Sequence, residues 1–440
     1  MGGPLVRIAL FTLIIALTLT PTILAAQSPA CIIPGADLAT PCWTWTAQST
    51  GVAAPVGLVI DDAHNQVIVG SSTTTVAYDE ATGQERWHSA TPGGILQLAP
   101  DASFVVASQF TGSGTTLLDT TTGHARWTNA AGGRLAITPD GAGILISTPV
   151  SNGLGVSEQI VRLIESATGT QAWRTTLVVD FTWEETGAIS ATNTTALLAA
   201  ENQLFGLDLQ NGSTLWSHRM PEWNMVATTR IVNDHVLLYG TAPAPCLTGS
   251  DAALIEARNV QTGNEEWRAM PGQFPASNML AHGRAGYDSL LQTTANSVSV
   301  AARLPPTTCP TWFGNLLTKY DLSTGAVRSS SLGPISSDVD AATIVPMGIS
   351  QPTPSGAVFI SATINNPVRQ YAALLKVDDT GSTSYTANHI ISPLQDKSLE
   401  EAAGPCGISA NGQVIFTNAD QGDGGVIGSD GILETLAAPQ

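Results

Sequence analysis

The sequence predicts an all-β fold, a single closed β-propeller of about eight four-stranded blades. Three observations support this prediction: a ten-residue phrase recurs along the chain, short alternating strands separate its copies, and no run with helical periodicity follows the N-terminus. A repeat with a period of roughly 40 to 50 residues indicates one supersecondary unit used many times. The five intact copies begin at Tyr78, Leu118, Ile164, Leu207 and Arg258.

The phrase itself has the chemistry of a hairpin. Each intact copy places an acid or amide four residues before a glycine and a tryptophan four residues after it, as in Asp79, Gly83 and Trp87. Asp79 can accept hydrogen bonds from the backbone of a turn, and Gly83 can adopt the positive φ that other residues resist. Trp87 begins the next strand and offers a large apolar surface to a neighbouring unit. The phrase therefore predicts the last two strands of each blade and the turn between them.

The number of blades follows from the weaker copies. Two further short strands precede each phrase, and decayed copies at Gly325, Gly381 and Gly431 bring the number of turns to eight. Seven blades remain if the last copy is only a tail. The stretch Trp43-Thr44-Trp45-Thr46 looks like an outer strand without inner strands of its own. We therefore expect the start of the chain to close the ring against the last blade.

The N-terminus indicates export. Residues 5–24 are almost wholly apolar, with Arg7 near the start and the small residues Ala25 and Ala26 at the end, which is the pattern of a secretory signal peptide. We divide the chain into a signal peptide (1–26), an N-terminal lead (27–42) and the propeller (43–440). An uncleaved membrane anchor and a lipidated Cys31 are the alternatives. Each of the three places the propeller in the periplasm, in the cell envelope or outside the cell.

Composition excludes some classes of partner. The formal net charge of −18 argues against nucleic acid, because phosphate contacts need clustered Lys and Arg. The same charge disfavours adsorption to anionic membranes, so a membrane is expected only through an uncleaved or lipid anchor. Because all the repeats belong to one closed ring, the chain forms a single domain despite its length. We expect a monomer.

Cysteine usage suits an oxidising compartment. Cys246 and Cys309 lie in proline-rich segments that we place in the loops between second and third strands of blades five and six. These loops share one side of a propeller, so we predict a disulfide between the two. Cys31 and Cys42 can pair within the N-terminal lead, which leaves Cys406 as a buried thiol on an inner strand.

The pattern Asp-x-x-Thr-Gly-x-x-x-Trp resembles the repeat of quinoprotein-like propellers. That family includes pyrroloquinoline-quinone dehydrogenases and the propeller lipoprotein of the bacterial outer-membrane β-barrel assembly machinery. The resemblance covers most of residues 43–440 and implies the fold, whereas function does not follow from a fold. Many of the dehydrogenases carry adjacent cysteines and a Glu, Asn and Asp around calcium. No two cysteines are adjacent here, so we carry over no catalytic residue and predict no cofactor.

Candidate binding residues belong to one side of the ring. The loop-rich face carries the connections between blades and the loops between second and third strands, and the turn face carries the Thr-Gly turns. Loops can vary without disturbing the scaffold, so we expect binding on the loop-rich face. The alternative is that each tryptophan plugs its own loop onto the ring. The candidate partner-binding residues are Trp183, Glu184, Glu222, Trp223, Trp312 and Phe313.

The sequence favours a binding scaffold over an enzyme. It lacks Gly-x-Ser-x-Gly, His-Glu-x-x-His and Cys-x-x-Cys motifs, and Asp420 and Asp423 do not complete a calcium loop, so we predict no metal. We expect an exported, non-enzymatic propeller that binds a protein or a cell-surface polymer. The alternative is a quinone-dependent dehydrogenase or another enzyme with a site at the central mouth of the loop-rich face. An enzyme predicts carboxylates converging at the axis, and a scaffold predicts small apolar and hydroxyl side chains there.

Overall fold

The fold is all-β in every part of the chain that the structure describes. Within these residues the strands form eight four-stranded antiparallel sheets, each of which is one blade. The prediction of a propeller of about eight four-stranded blades is therefore confirmed. The computed structural model describes residues 43–45, 57–109, 114–151, 156–180, 188–200, 202–243, 251–273, 290–302, 316–331, 344–352, 357–366, 369–377, 383–388, 403–408, 413–418 and 424–429.

Blades 1 to 4 each run in chain order from inner strand to outer strand. Blade 1 contains β2 (Gly57–Asp61), β3 (Gln66–Gly70), β4 (Thr75–Asp79) and β5 (Glu85–Ser89). Blade 2 contains β6 (Ile95–Leu98), β7 (Phe104–Ser108), β8 (Thr115–Asp119) and β9 (Ala125–Asn129). Blade 3 contains β10 (Arg134–Ile137), β11 (Gly143–Ser151), β12 (Val156–Glu165) and β13 (Gln171–Asp180). Blade 4 contains β14 (Ala188–Ala191), β15 (Thr195–Ala200), β16 (Gln203–Asp208) and β17 (Thr214–Arg219).

Blades 5 to 7 repeat this order, and blade 8 departs from it. Blade 5 contains β18 (Met225–Val232), β19 (His235–Pro243), β20 (Asp251–Asn259) and β21 (Glu265–Gln273). Blade 6 contains β22 (Leu291–Thr293), β23 (Ser297–Ala301), β24 (Leu317–Asp321) and β25 (Val327–Ser331). Blade 7 contains β26 (Ile344–Ile349), β27 (Val358–Asn366), β28 (Arg369–Val377) and β29 (Thr383–Asn388). Blade 8 contains β30 (Ala403–Ile408), β31 (Gln413–Asn418), β32 (Gly424–Ser429) and, from the chain start, β1 (Trp43–Trp45).

The ring closes through strands from both ends of the chain. The N-terminal strand β1 pairs antiparallel with β32, with Trp43 opposite Val426 and Trp45 opposite Gly424. The inner strand of blade 1 also lies against the inner strand of blade 8. This confirms the expectation that the start of the chain supplies the outer strand of the last blade. Residues 1–42, with the predicted signal peptide, Cys31 and Cys42, lie outside the described residues.

The core lies between the blades. Successive residues of a strand face opposite sides of its sheet, so a middle strand buries both sides when a blade covers each. In blade 3, Ile144 and Ile146 pack against blade 2, and Leu145 between them packs against blade 4. This is why the middle strands are mostly apolar, such as Phe104–Ser108, in which all five residues are buried. An outer strand alternates instead: in Glu85–Ser89 only Trp87 is buried.

Among the described residues, the strands of three blades extend further than the others on the loop-rich face. The second and third strands have five or six residues in blades 1, 2, 4 and 6 and nine or ten in blades 3, 5 and 7. In blades 3 and 5 the additional pairs lie at the end away from the repeat turn. We call these three pairs of strands the extended hairpins. Their last pairs are Ser151 with Ser157, Pro243 with Asp251 and Asn366 with Arg369.

Candidate functional site

The turn face is built from one hydrogen-bonded unit that recurs. In blade 1, Asp79 Oδ1 accepts hydrogen bonds from the Ala81 and Thr82 amides at 3.1 and 2.9 Å, and the Gly83 amide donates to the Asp79 carbonyl at 2.9 Å. Gly83 has a φ of +68°, as the sequence predicts. Arg86 Nη2 lies 2.6 Å from Asp79 Oδ2 and completes the unit. The same acid–arginine pair recurs in blades 2 and 6.

The repeat tryptophans connect each blade to the next. The ring of Trp87 lies on the turn of blade 2, where a Cβ on Gly123 would come 2.4 Å from the indole. The indole N–H then donates to the carbonyl that follows the repeat acid of that blade. The same bond occurs at five blade junctions: Trp43 to Glu80 at 2.8 Å, Trp87 to Thr120 at 2.7 Å, Trp127 to Ser166 at 2.7 Å, Trp173 to Leu209 at 2.7 Å and Trp267 to Leu322 at 2.8 Å.

The junction of blades 4 and 5 departs from this pattern. The indole Nε1 of Trp216 is buried and has no hydrogen-bond partner, although the ring still lies over Gly263. His218 Nε2 instead lies 2.8 Å from the Thr262 carbonyl. One of the predicted binding segments, the connector that carries Glu222 and Trp223, lies beside this junction.

The predicted site residues fall into two groups. Glu222 and Trp223 lie in the connector between β17 and β18 and are described. The other four partner-binding candidates, Trp183, Glu184, Trp312 and Phe313, lie outside the described residues, and so do Cys246 and Cys309. Cys406 lies on β30, the inner strand of blade 8, as predicted.

Trp223 is buried rather than displayed. Its side chain is 3% exposed and packs with Met220 and Val226 in the core between blades 4 and 5. Its indole Nε1 donates to Glu256 Oε2 at 2.8 Å. The buried side chain of Trp223 therefore anchors its connector to the ring, which is the alternative that the sequence left open. Glu222, its neighbour, is about half-buried and lies 3.2 Å from Arg268 Nη1.

A network of charges surrounds this tryptophan. Glu256, on β20, is fully buried and forms an ion pair with Arg258, which also donates to the Gly263 carbonyl at 2.9 Å. Burial raises the pKa of Glu256, against the opposing effects of Arg258 and the Trp223 hydrogen bond. Nearer the surface, Arg268 pairs with Glu265, and this hydrogen bond lowers the pKa of Glu265.

The three carboxylates of this network raise the question of a metal. Glu222, Glu256 and Glu265 bring ligand atoms within 4.8 Å of one another. Both Arg258 and Arg268 already form ion pairs with these groups. Buried charges need such partners, and a cation would have to displace them. The arrangement is thus an ion-pair network between blade 5 and the connector that precedes it.

One sequence signal could have located the network. The residue before the repeat acid is apolar or aromatic in the other intact copies and is Arg258 in blade 5. That position is a core position in blades 2 to 4. A cation in a core position requires a buried carboxylate nearby. Glu256 on the same strand supplies it.

The eight inner strands surround the axis with few charges. Among their described residues the single carboxylate is Asp61, at the turn-face end of β2. Asp61 is fully buried and lies 2.7 Å from His64 Nδ1 and 2.8 Å from Gln66 Nε2. Polar groups on the inner strands link neighbouring blades instead: Gln97 donates to the Leu135 carbonyl at 2.8 Å. Carboxylates of the inner strands therefore do not converge at the loop-rich mouth.

A comparison with protein families finds one match. The model described as outer membrane protein assembly factor BamB matches residues 71–285 and 157–427, which together span most of the propeller. A comparison with curated proteins finds no relative of this sequence. Within the described part of the chain, no helix has the length and apolar character to cross a bilayer.

Solved structures resemble the chain at low identity. BamB from Moraxella catarrhalis is 16% identical over 75% of this chain and 95% of its own, with a TM-score of 0.40. The computationally designed protein Ika8 is 13% identical over 85% of this chain and 96% of its own, with a TM-score of 0.52. The dihydro-heme d1 dehydrogenase NirN is 10% identical over 89% of this chain and 80% of its own, with a TM-score of 0.51. A designed protein and a dehydrogenase share the architecture, so these likenesses show the fold alone.

Proposed function

The chain belongs to the family of outer membrane protein assembly factor BamB, and from that premise we propose that it is an exported, non-enzymatic scaffold of the bacterial cell envelope. Its partner is another protein or a cell-surface polymer, held on the loop-rich face. The two sides of the ring have different roles in this proposal. The turn face is a repeated packing unit, and the loop-rich face differs from blade to blade.

The observation that carries the proposal is the set of extended hairpins. Blades 3, 5 and 7 extend past their neighbours on the same face. Near the ends of these hairpins Val150 and Val178 of blade 3 and Pro243 of blade 5 are exposed, although much of each extended part packs against a neighbouring blade. Extended segments of other proteins bind exposed strand edges by main-chain hydrogen bonds. An enzyme at the central mouth would instead need converging acids, and Asp61 alone on the inner strands does not support that alternative.

Site-specific photocross-linking in intact cells tests the binding face. A photoreactive residue replaces Val150 or Pro243, which are exposed near the ends of the hairpins of blades 3 and 5. Matched variants carry it at Thr121 or Gln261, which are exposed in repeat turns of the opposite face. We expect covalent adducts of one defined partner from the first pair and none from the second. Adducts from the turn face alone, or no adduct from either face, would contradict the proposal.

Export is tested separately. We propose cleavage after residue 26 and a disulfide between Cys246 and Cys309, both motivated by the sequence. N-terminal sequencing of the protein from the envelope fraction should begin at Gln27. Peptide mapping without reductant should recover the two cysteines in one linked pair. Full-length protein in the cytosolic fraction, with both thiols free, would contradict export without bearing on the binding face.

A further inference from the structure

The outer strand of blade 3 is a long free edge. It has ten residues, Gln171–Asp180, and pairs with β12 on one side, while no described strand pairs with its other side. Natural sheets protect such edges with short strands, prolines or lysines. β13 contains no Pro, Gly or Lys. The other long outer strand, β21, contains Pro271 and Gly272, and the remaining outer strands have three to six residues.

The two sides of β13 have different surroundings. Trp173, Leu177 and Val179 pack against blade 4. The alternate residues Arg174, Thr176 and Val178 are exposed, and Val178 is 64% exposed. Blade 2 is the neighbour on that side, and its middle strands end at the pair Ser108–Thr115. The extended part of blade 3 rises above this level, and there Val150 and Val178 flank Glu158 in one cross-strand row.

Two arginines stand side by side next to this row. Arg162 on β12 is the direct cross-strand neighbour of Arg174 on β13. Like charges in this position repel each other, and burial together with Arg174 lowers the pKa of Arg162. Arg162 donates to Thr148 Oγ1 at 3.1 Å, but neither guanidinium forms an ion pair within the described residues. In a chain with 17 basic and 35 acidic residues, these two adjacent arginines are a local concentration of positive charge.

We propose that the free edge of β13 binds an extended acidic segment of a partner protein as a fifth strand of blade 3. The inference rests on the proposed binding function and names the partner chemistry. Residues of an added strand alternate between two faces, so those beside Arg174, Thr176 and Val178 occupy every second position. The segment therefore carries an acidic residue and an apolar residue four positions apart. The carboxylate pairs with Arg174 and relieves its repulsion with Arg162.

Charge selects this occupant over a second copy of the chain. Two copies joined edge to edge through β13 would bring four arginines to one sheet and two bodies of net charge −18 together. An acidic segment brings a carboxylate to the arginines and carries far less charge than a second copy of the chain. The spacing of four positions is the same for a parallel and an antiparallel segment.

Fluorescence anisotropy with the purified full chain tests the proposal. The probe is a labelled peptide Ser-Thr-Glu-Val-Thr-Thr-Ile-Ser, with its acid and its isoleucine four positions apart. Saturable binding is expected, and Arg174→Ala should weaken it about tenfold, the loss of one charged hydrogen-bonded pair. Arg126→Ala is the matched control, because Arg126 is an exposed arginine on the outer strand of blade 2. Arg126→Ala should change the affinity for the peptide by less than about twofold.

Two further sets of peptides distinguish the contribution of the ion pair to binding from that of the main-chain hydrogen bonds. A peptide with Gln in place of Glu should bind the native chain about tenfold more weakly than the Glu peptide does. The Arg174→Ala variant should bind the two peptides with equal affinity. Peptides N-methylated at one or the other alternate set of amides should differ, because one set faces β13 and the other faces away. Equal binding of both methylated peptides, equal loss with Arg126→Ala, or no binding at millimolar peptide overturns the proposal. A dimer that dissociates when Val178 is replaced by Lys also overturns it, since a second copy then occupies the edge.

The outcome is distinguishable from that of the proposed function. If adducts still form at the loop-rich face when Arg174 is replaced by Ala, the scaffold function stands and this edge is not its site. If no adducts form in the native chain but the peptide binds with the expected dependence, the edge is a site without the proposed cellular partner.

Discussion

The repeat glycines meet two separate requirements, a backbone conformation and a lack of side chain. Gly123 has a φ of +67°, and a Cβ there would lie 2.4 Å from the ring of Trp87. Gly141 has a similar φ of +72°, but its nearest neighbour to a Cβ would be Pro100 Cδ at 3.8 Å. The two positions therefore separate strain from close packing.

We predict that Gly123→Ala destabilises the protein more than Gly141→Ala does. Each substitution imposes a left-handed conformation at a cost of about 1–2 kcal/mol, and only the first also displaces an indole. The measurement is the free energy of unfolding in urea for the two variants. Equal losses would mean that the indole moves away without cost.

Asp119 makes the stability of the fold depend on pH. The Arg126 guanidinium, through its hydrogen bond, lowers the pKa of Asp119 below its ordinary value, with Thr122 adding to the effect. A carboxylate whose pKa is lower in the folded state stabilises the fold above its unfolded pKa, near 3.8, and loses this contribution as the pH falls through the folded value. Asp119→Asn should therefore cost about 1 kcal/mol at pH near 7 and progressively less below pH of about 4.

Urea unfolding across that pH range is the measurement for Asp119→Asn. Glu85→Gln is the control, because Glu85 is an exposed carboxylate with no ion pair among the described residues. A loss that stays constant down to acid pH would show that the carboxylate's charge is not involved.

At the scale of the blade, the tryptophan bond is the element that joins neighbours. Trp87→Phe keeps most of the apolar contact and removes one of the two donors to the buried Thr120 carbonyl, the other being Gln66 Nε2, which should cost about 1 kcal/mol. Trp216→Phe is the matched control, because the Trp216 indole N–H has no partner to lose. Urea midpoints of the two variants give the comparison, and a larger loss for Trp216→Phe would contradict this account of the junctions.

The ion-pair network gives a second prediction at this scale. Glu256→Gln leaves Arg258 buried without its carboxylate, which should cost about 3 kcal/mol or more. Replacing both residues, Glu256→Met with Arg258→Leu, removes both charges and should cost less than the single change. Thermal unfolding compares the three chains. A double variant less stable than Glu256→Gln would mean that the pair contributes net stability.

At the scale of the whole molecule, the ring depends on its first strand. Trp43 donates its indole N–H to Glu80 and lies on the turn of blade 1, so β1 connects the last blade to the first. A chain that begins after residue 46 should lose about 3 kcal/mol, as expected for removal of a large packed aromatic residue. A chain that begins after residue 42 keeps the strand and is the control. Equal stability of the two would mean that the ring does not need this closure.

The sequence by itself determined the architecture, because its causes are local. Spacing between Asp79, Gly83 and Trp87 defines a turn whose conformation is fixed within the phrase, and repetition of that turn predicts the number of blades. The isolated Trp43 stretch likewise predicted the closing strand, since a strand without partners in sequence must find them elsewhere.

Only the tertiary structure decided which of these residues are available to a partner. Nothing local distinguishes a connector tryptophan that faces solvent from one that, like Trp223, reaches a buried carboxylate 33 residues away. Arg162 and Arg174 are 12 positions apart and become neighbours only through the register of β12 and β13. Whether a residue is buried, ion-paired or on a free edge depends on which part of its blade the adjacent blade covers. That part is larger when the strands of the adjacent blade continue to pair over more residues.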